Sequence, residues 1–380
     1  MLGLIVNPVA GVGGPAGLAG SDGDAVQRHA VERGATPRAG DRALAALAVV
    51  ADARPGASVL TAAGPMGEDV VRRAGLDPIV VSRPVTPTSP ADTVAAARAL
   101  ADAGASLVLF AGGDGTARDV ATALSTDVSA LGIPAGVKMY SPVFAVSPRA
   151  AGGLAAAWLA ADGRGLPVHE REVLDVDEEA LRRARVEPRL FGVLAVPTRP
   201  GRTQSRKAAT PAGERAAVAG AARGAASAMR PGVRYLLGPG GTMAEVAREL
   251  GISKTPLGVD VVLDGRVVQA GASESDLLEQ LAAGPAKAMV SVIGGQGFLL
   301  GRGNQQLSAR VIRALGDDPV VVVAPEQKLI DLGGRPLLVD TGDAEVDVGL
   351  AGYVRVITGS ATTSIYPVHA PEHEGEGHAP

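Results

Sequence analysis

The chain has 380 residues, 46% of them apolar and 20% charged, a mix that buries a sizeable core and by length suggests two or three domains. It contains no cysteine, which excludes disulfide frameworks, zinc knuckles, iron–sulfur sites and a cysteine nucleophile together. A net charge of −4 with only four Phe, four Tyr and one Trp offers neither the basic footprint of a duplex binder nor the stacking platform of a single-strand binder, so no nucleic-acid partner is expected.

Elements follow in chain order. Leu2–Val6 is a strand-like apolar run ended by Asn7-Pro8. It lacks a basic n-region and is too short for a signal peptide. No stretch of about 18 residues is apolar enough to span a bilayer, so the chain reads as soluble and cytoplasmic, with no membrane partner. Ser58–Thr61 and Ile79–Val81 are further short strands, and Asp92–Ala103 reads as a helix stopped at Gly104. Ser106–Ala111 is a continuous apolar run, as expected of a parallel strand covered on both faces. A helix over Thr116–Leu124 and a strand over Ala130–Ile133 complete an alternation that argues for an open parallel sheet. After a helix near Ala150–Ala161 the pattern changes. Strands are expected at Val168–Val176 and Leu190–Val196, a hairpin at Val259–Leu263 and Arg266–Ala270 turning on Asp264-Gly265, and runs at Ala288–Ile293, Val320–Val323, Leu337–Val339 and Tyr353–Ile357. The expected division is an α/β domain over 1–147, a strand-rich domain over 148–368 and a disordered tail over 369–380 holding three of the five histidines.

Phe110-Ala111-Gly112-Gly113-Asp114-Gly115-Thr116 leaves a buried-type strand and enters a helix, where parallel sheets bind ligands. Consecutive glycines let the backbone approach a phosphate, and the helix start supplies unpaired N–H groups. Asp114 would repel phosphate, so it either takes a proton from an attacking hydroxyl, holds Mg²⁺, or only caps the helix. Asn7-Pro8-Val9-Ala10-Gly11 and Gly132-Ile133-Pro134-Ala135-Gly136-Val137-Lys138-Met139-Tyr140-Ser141 also follow strands. Three such turns on one parallel sheet would lie along one carboxyl edge and share a ligand. No Gly-x-x-x-x-Gly-Lys-Ser/Thr occurs, which excludes a P-loop. Asp119, one turn into the same helix, either faces the site or is a solvated helix residue, and the basic stretch Arg199–Lys207 either is solvated or closes over a polyanion. His29 and His169 suggest no role.

Asn-Pro-x-Ala-Gly on the first strand, followed by Gly112–Thr116, resembles the NAD kinase and diacylglycerol kinase superfamily. The segments Ile133–Ser141, Gln204–Lys207, Gly238-Pro239-Gly240-Gly241-Thr242, Gly294–Phe298, Gly301–Gln306 and Val339–Asp343 resemble most its predicted ATP- or polyphosphate-dependent NAD kinase branch, which includes AcoX-like proteins. The resemblance implies a Rossmann-like parallel-sheet domain followed by a strand-rich α+β C-terminal domain, with the active site between them. It further implies an ATP or polyphosphate donor, Mg²⁺ or another divalent cation, NAD as acceptor, and a homo-oligomer. Residue by residue, it makes Asp114 the group that activates the acceptor hydroxyl. It sets Asn7, Gly11, Gly112, Gly113, Gly115, Thr116 and Gly136 against the donor, with Lys138 as charge partner. On the acceptor side, Asn304 and Asp340, beside glycine turns, either hydrogen-bond a ribose or amide or only shape their turns, and Thr242 is a further candidate; no metal ligand is assigned. The chain departs from characterised NAD kinases there. Their Asn-Glu pair has no clear equivalent, and their Thr-Pro-Thr-Gly-Ser-Thr is missing; Thr86-Pro87-Thr88-Ser89 lies on the wrong side of the glycine loop. A kinase of another small alcohol and a nucleotide-binding regulator without turnover are the competing readings.

Overall fold

A computed structural model of the chain describes residues 1–14, 16, 36–136, 139–161, 165–175, 189–199, 201–203 and 215–371. They fall into two compact units, Met1–Val12 with Thr36–Arg206 and Gly13–Ala35 with Lys207–Pro380.

The first unit runs β1 (Leu2–Val6), α1 (Ala39–Ala53), β2 (Ser58–Ala62), α2 (Glu68–Arg73), β3 (Asp77–Ser82), α3 (Pro90–Asp102), β4 (Leu107–Gly112), α4 (Asp114–Ala123), β5 (Ser129–Pro134), α5 (Pro148–Ala160), β6 (Val168–Asp175) and β7 (Arg189–Pro197). Its sheet has the order β3-β2-β1-β4-β5-β7-β6. Every pairing is parallel except the β6–β7 hairpin. The central strands β1, β4 and β5 are buried along their whole length, which is why they read as unbroken apolar runs. The helices are alanine-rich and can pack closely: a Cβ on Gly152 of α5 would lie 2.2 Å from the Ala46 carbonyl of α1. α3 starts two residues earlier than the sequence suggests. Ser89 and Asp92 form a capping box with Pro90 at the first helical position, so Thr86–Ser89 leads into a helix start.

The second unit contains α6 (Arg215–Ala228), β8 (Arg234–Leu237), α7 (Gly241–Glu249), β9 (Val259–Leu263), β10 (Arg266–Ala272), α8 (Glu274–Ala282), β11 (Ala286–Val290), β12 (Phe298–Leu300), α9 (Ala309–Leu315), β13 (Val320–Val323), α10 (Glu326–Ile330), β14 (Leu337–Val339), α11 (Ala344–Leu350), β15 (Gly352–Ile357) and β16 (Thr363–His369). Its nine strands are ordered β10-β9-β8-β11-β13-β15-β16-β14-β12. β8, β11, β13 and β15 run parallel at the centre. The β9–β10 hairpin turns where expected, with φ of 48° at Asp264 and 74° at Gly265, as a two-residue primed turn requires. The α/β first unit and strand-rich second sheet are the fold class expected.

Two boundaries differ from the sequence reading. Position 147/148 falls inside the first unit, because the β6–β7 hairpin extends that unit's sheet beyond β5. His369 is the last residue of β16, level with Leu338 of β14, so the strand runs through the start of the expected tail. Residues 372–380 lie outside the described residues. Among the described residues no helix is long and apolar enough to cross a membrane.

Candidate active site

The three turns expected to share an edge do come together, because β1, β4 and β5 are sheet neighbours. Backbone contacts lock them. The Asn7 N–H donates to the Ala111 carbonyl at 3.0 Å, and the Ala135 and Gly136 N–H groups both donate to the Gly112 carbonyl at 3.0 Å. The Asn7 side chain works in both directions: its Oδ1 accepts from the Val9 N–H at 3.2 Å, and its Nδ2 donates to Thr116 Oγ1 at 3.0 Å. Two glycines are dictated by closeness. A Cβ on Gly136 would lie 2.6 Å from Gly113 Cα, and one on Gly11, whose φ is +84°, would lie 2.5 Å from the Ala135 carbonyl oxygen. Asn7, Gly11, Gly112, Gly113, Thr116 and Gly136 therefore form one assembly.

Glycine at the N-cap of α4, position 113, provides no side-chain cap, so the first-turn N–H groups and the positive end of the helix dipole are left for an anion. Asp114 is the first residue of this helix, two positions ahead of the start read from the sequence, and is buried. Its Oδ2 accepts from the Tyr140 N–H at 2.6 Å and its Oδ1 from the Ser141 N–H at 3.1 Å. The side chain thus spans from the glycine loop to the third turn. Burial pushes its pKa from the usual carboxylate range up to about 7; the hydrogen bonds from Ser141 and Tyr140 oppose this and nearby Asp175 adds to it. A carboxyl poised there can accept a proton near neutral pH. Tyr140, also buried and beside Asp114, is pushed up to about 12 and stays a neutral phenol. The Ser141 hydroxyl accepts from the Leu174 N–H at 2.9 Å and donates to the Leu174 carbonyl at 2.8 Å, tying the third turn to β6.

Lys138 lies outside the described residues, as do Gln204–Lys207. A cation that sequence reasoning missed is Arg42 of α1, whose Nε donates to the Pro134 carbonyl at the end of β5. Nothing local marks it, since it comes from a helix start far from any motif. Asp119 is half-buried beside Arg118 at 3.7 Å, and Arg118 also pairs with Asp175 at 3.0 Å.

In the second unit, Asn304 spends both ends of its amide on its own loop. Nδ2 donates to the Leu299 carbonyl at 2.7 Å and Oδ1 accepts from the Gly301 N–H at 3.0 Å. Asp340 is in a buried ion pair with Arg302 at 2.6 Å, and Arg302 stacks on Phe298, 4.3 Å from the ring centre. Thr242, at the start of α7, accepts a hydrogen bond from Lys328 Nζ at 3.0 Å.

Comparison with protein families matches residues 2–163 to the ATP-NAD kinase N-terminal domain and residues 230–368 to the ATP-NAD kinase C-terminal domain. The chain belongs to the NAD kinase superfamily. Its coarse activity is therefore phosphoryl transfer of the NAD kinase type, by a kinase. Searches of curated proteins and of solved structures returned no match. The N-terminal match spans β1 to α5, without the β6–β7 hairpin of that sheet, and contains the whole three-turn assembly; the C-terminal match spans the strands of the second sheet.

NAD kinase chemistry implies a divalent cation. Among the described residues no group of three His, Asp or Glu side chains is placed to hold one.

Proposed function

We propose that the chain is an NAD kinase, transferring a phosphoryl group from ATP, or from polyphosphate, to the 2′-hydroxyl of the adenosine ribose of NAD to give NADP. The observation that carries this reading is Asp114: a buried carboxyl with its pKa raised to about 7, on the first turn of a helix whose start is built from glycines. Phosphates of the donor would lie against the N–H groups of Gly113, Gly115 and Thr116, with Asn7 fixing Thr116 and Gly11, Gly112 and Gly136 giving the backbone room. Asp114 takes the proton of the 2′-hydroxyl as its oxygen bonds to the terminal phosphorus and the bridging P–O bond breaks, releasing ADP. When bound with the nucleotide, the cation neutralises charge on the phosphates. On the acceptor side Thr242 is the direct candidate, while Asn304 and Asp340 act by shaping the Gly301–Gln305 turn. The reading also makes the protein a cytoplasmic homo-oligomer, which light scattering of the purified chain checks for assembly.

The test is to incubate the purified chain with NAD, ATP and Mg²⁺ and assay NADP. A second reading, a kinase of another small alcohol in the AcoX-like manner, is favoured by the missing Asn-Glu pair and Thr-Pro-Thr-Gly-Ser-Thr segment. Turnover of ATP with other alcohols but not NAD would establish it.

A further inference from the structure

Asp114 is held by a circuit of contacts that closes on its own helix. Its two oxygens take the Tyr140 and Ser141 N–H groups. The Ser141 hydroxyl is clasped by both backbone groups of Leu174, and the next residue, Asp175, ends β6. Asp175 Oδ2 accepts from Arg118 Nη1 at 3.0 Å. Arg118 lies on α4, four residues after Asp114 and so on the same helix face. The circuit runs from α4 through the third turn and β6 back to α4.

Arg118 is fixed on a further side by β7. Its guanidinium lies 5.6 Å from the ring centre of Phe191, a cation–π distance, and its Nε is 3.7 Å from Asp119. Asp175 is a like charge for Asp114 and raises its pKa; a guanidinium bonded to Asp175 offsets that repulsion. The packed elements bring few other ionisable groups. Tyr140 of the third turn is pushed up to about 12 and stays neutral. Arg189 of β7 lies opposite Asp175 in the β6–β7 ladder, and His169, Glu170, Arg171 and Glu172 occupy the exposed start of β6. On α3, Arg98 and Asp102 are exposed and Asp92 is spent on its own capping box. β4 has none.

We infer that Arg118 is a positioning residue for Asp114, setting through Asp175 and Ser141 both the place of the carboxyl and the negative field around it. That this serves catalysis rests on the reading of Asp114 as the base; the coupling of Arg118 to the carboxyl stands on the geometry alone. Without Arg118, Asp175 has less opposing charge and Asp114 keeps its proton to higher pH. The Arg118 side chain is 36% exposed, so solvent screening keeps the effect modest.

Carbon-13 NMR of the full chain labelled at aspartate Cγ reads the Asp114 titration directly, its signal identified by its loss in Asp114→Asn. The midpoint, near 7 in the wild type, should rise by about 0.5–1 pH unit in Arg118→Met. Arg118→Lys should undo most of that rise, and adding Asp175→Asn to Arg118→Met should bring the midpoint to the wild-type value or below. In turnover, Arg118→Met should lower kcat/KM by about 2- to 5-fold at pH 7 and by little at pH 9, following the ionised fraction of Asp114; a merely structural loss would lower both alike. An unchanged midpoint in folded Arg118→Met, whatever its turnover, overturns the inference, as does a raised midpoint that Asp175→Asn leaves in place. Absence of NADP from wild-type reactions would count against the NAD kinase reading instead, while the NMR midpoints still decide the coupling.

Discussion

Replacing Asp114 by Asn should separate activity from stability, because the same burial that prepares the carboxyl for proton transfer makes its charge costly. Losing general-base help lowers turnover by roughly 10²–10⁴-fold. The stability effect has a definite sign. The folded carboxyl titrates near 7 instead of its ordinary 3.8, chiefly through burial. Below about pH 4 the group is neutral folded and unfolded, and no penalty applies. As pH rises from about 4 to 7 the unfolded carboxyl ionises while the folded one holds its proton, so stability falls progressively to a loss on the order of 4 kcal/mol that is complete above about 7. Asparagine escapes that loss. It forfeits something else: the two oxygens now take the Tyr140 and Ser141 N–H groups, and an amide offers one oxygen, so one buried donor goes unmatched at about 1–3 kcal/mol.

The balance makes Asp114→Asn more stable than wild type by about 1–3 kcal/mol near pH 8. Near pH 4 the order reverses by a similar amount. Thermal melts of the purified chain at the two pH values read this directly, each kcal/mol moving the midpoint of a unit this size by about 2–4 °C. A variant less stable than wild type at both pH values would refute the buried-charge account. Turnover close to wild type would remove Asp114 from the chemistry.

In the wild type, kcat/KM should rise with pH through about 7 as the Asp114 carboxyl loses its proton, and the residual activity of Asp114→Asn should lack that limb in the same pH series. Gly11→Ala should cost at least ~1–2 kcal/mol for its left-handed backbone, with a further loss from the 2.5 Å approach to the Ala135 carbonyl. Gly56→Ala, equally left-handed at φ +70° but with nothing nearby, is the control, and the difference in melting between the two reads the contact. Arg302→Ala takes away the guanidinium paired with the fully buried Asp340 carboxylate and should cost about 3–5 kcal/mol in chemical denaturation of the full chain.

What could be read from the sequence and what could not differ in the range of the interactions involved. Ser106–Ala111 announced a doubly covered strand, and Asp264-Gly265 a primed turn, because those signals lie within a few residues. The shared edge of the three turns was also legible, since alternating strands and helices leave few orders for a parallel sheet. Helix starts were less so. Gly-Gly-Asp-Gly-Thr reads as a turn because glycine is a poor helix former, yet α4 already begins at Asp114. The alanine-rich α1 has no strong polar stripe to betray it, so Arg42 went unnoticed.

The polar candidates show the same limit more sharply. Asp114 and Asp340 look alike in sequence, each an aspartate next to a glycine turn. Asp340 meets a guanidinium 38 residues away along the chain, so its charge is neutralised in place. Asp114 meets uncharged hydrogen-bond donors of Tyr140 and Ser141, 26 and 27 residues away, which hold the carboxyl without supplying a full opposing charge. Burial therefore wins and its pKa rises. The chemical distinction between a structural carboxylate and a candidate base is set by the partner that distant chain segments deliver, and no local motif encodes that partner.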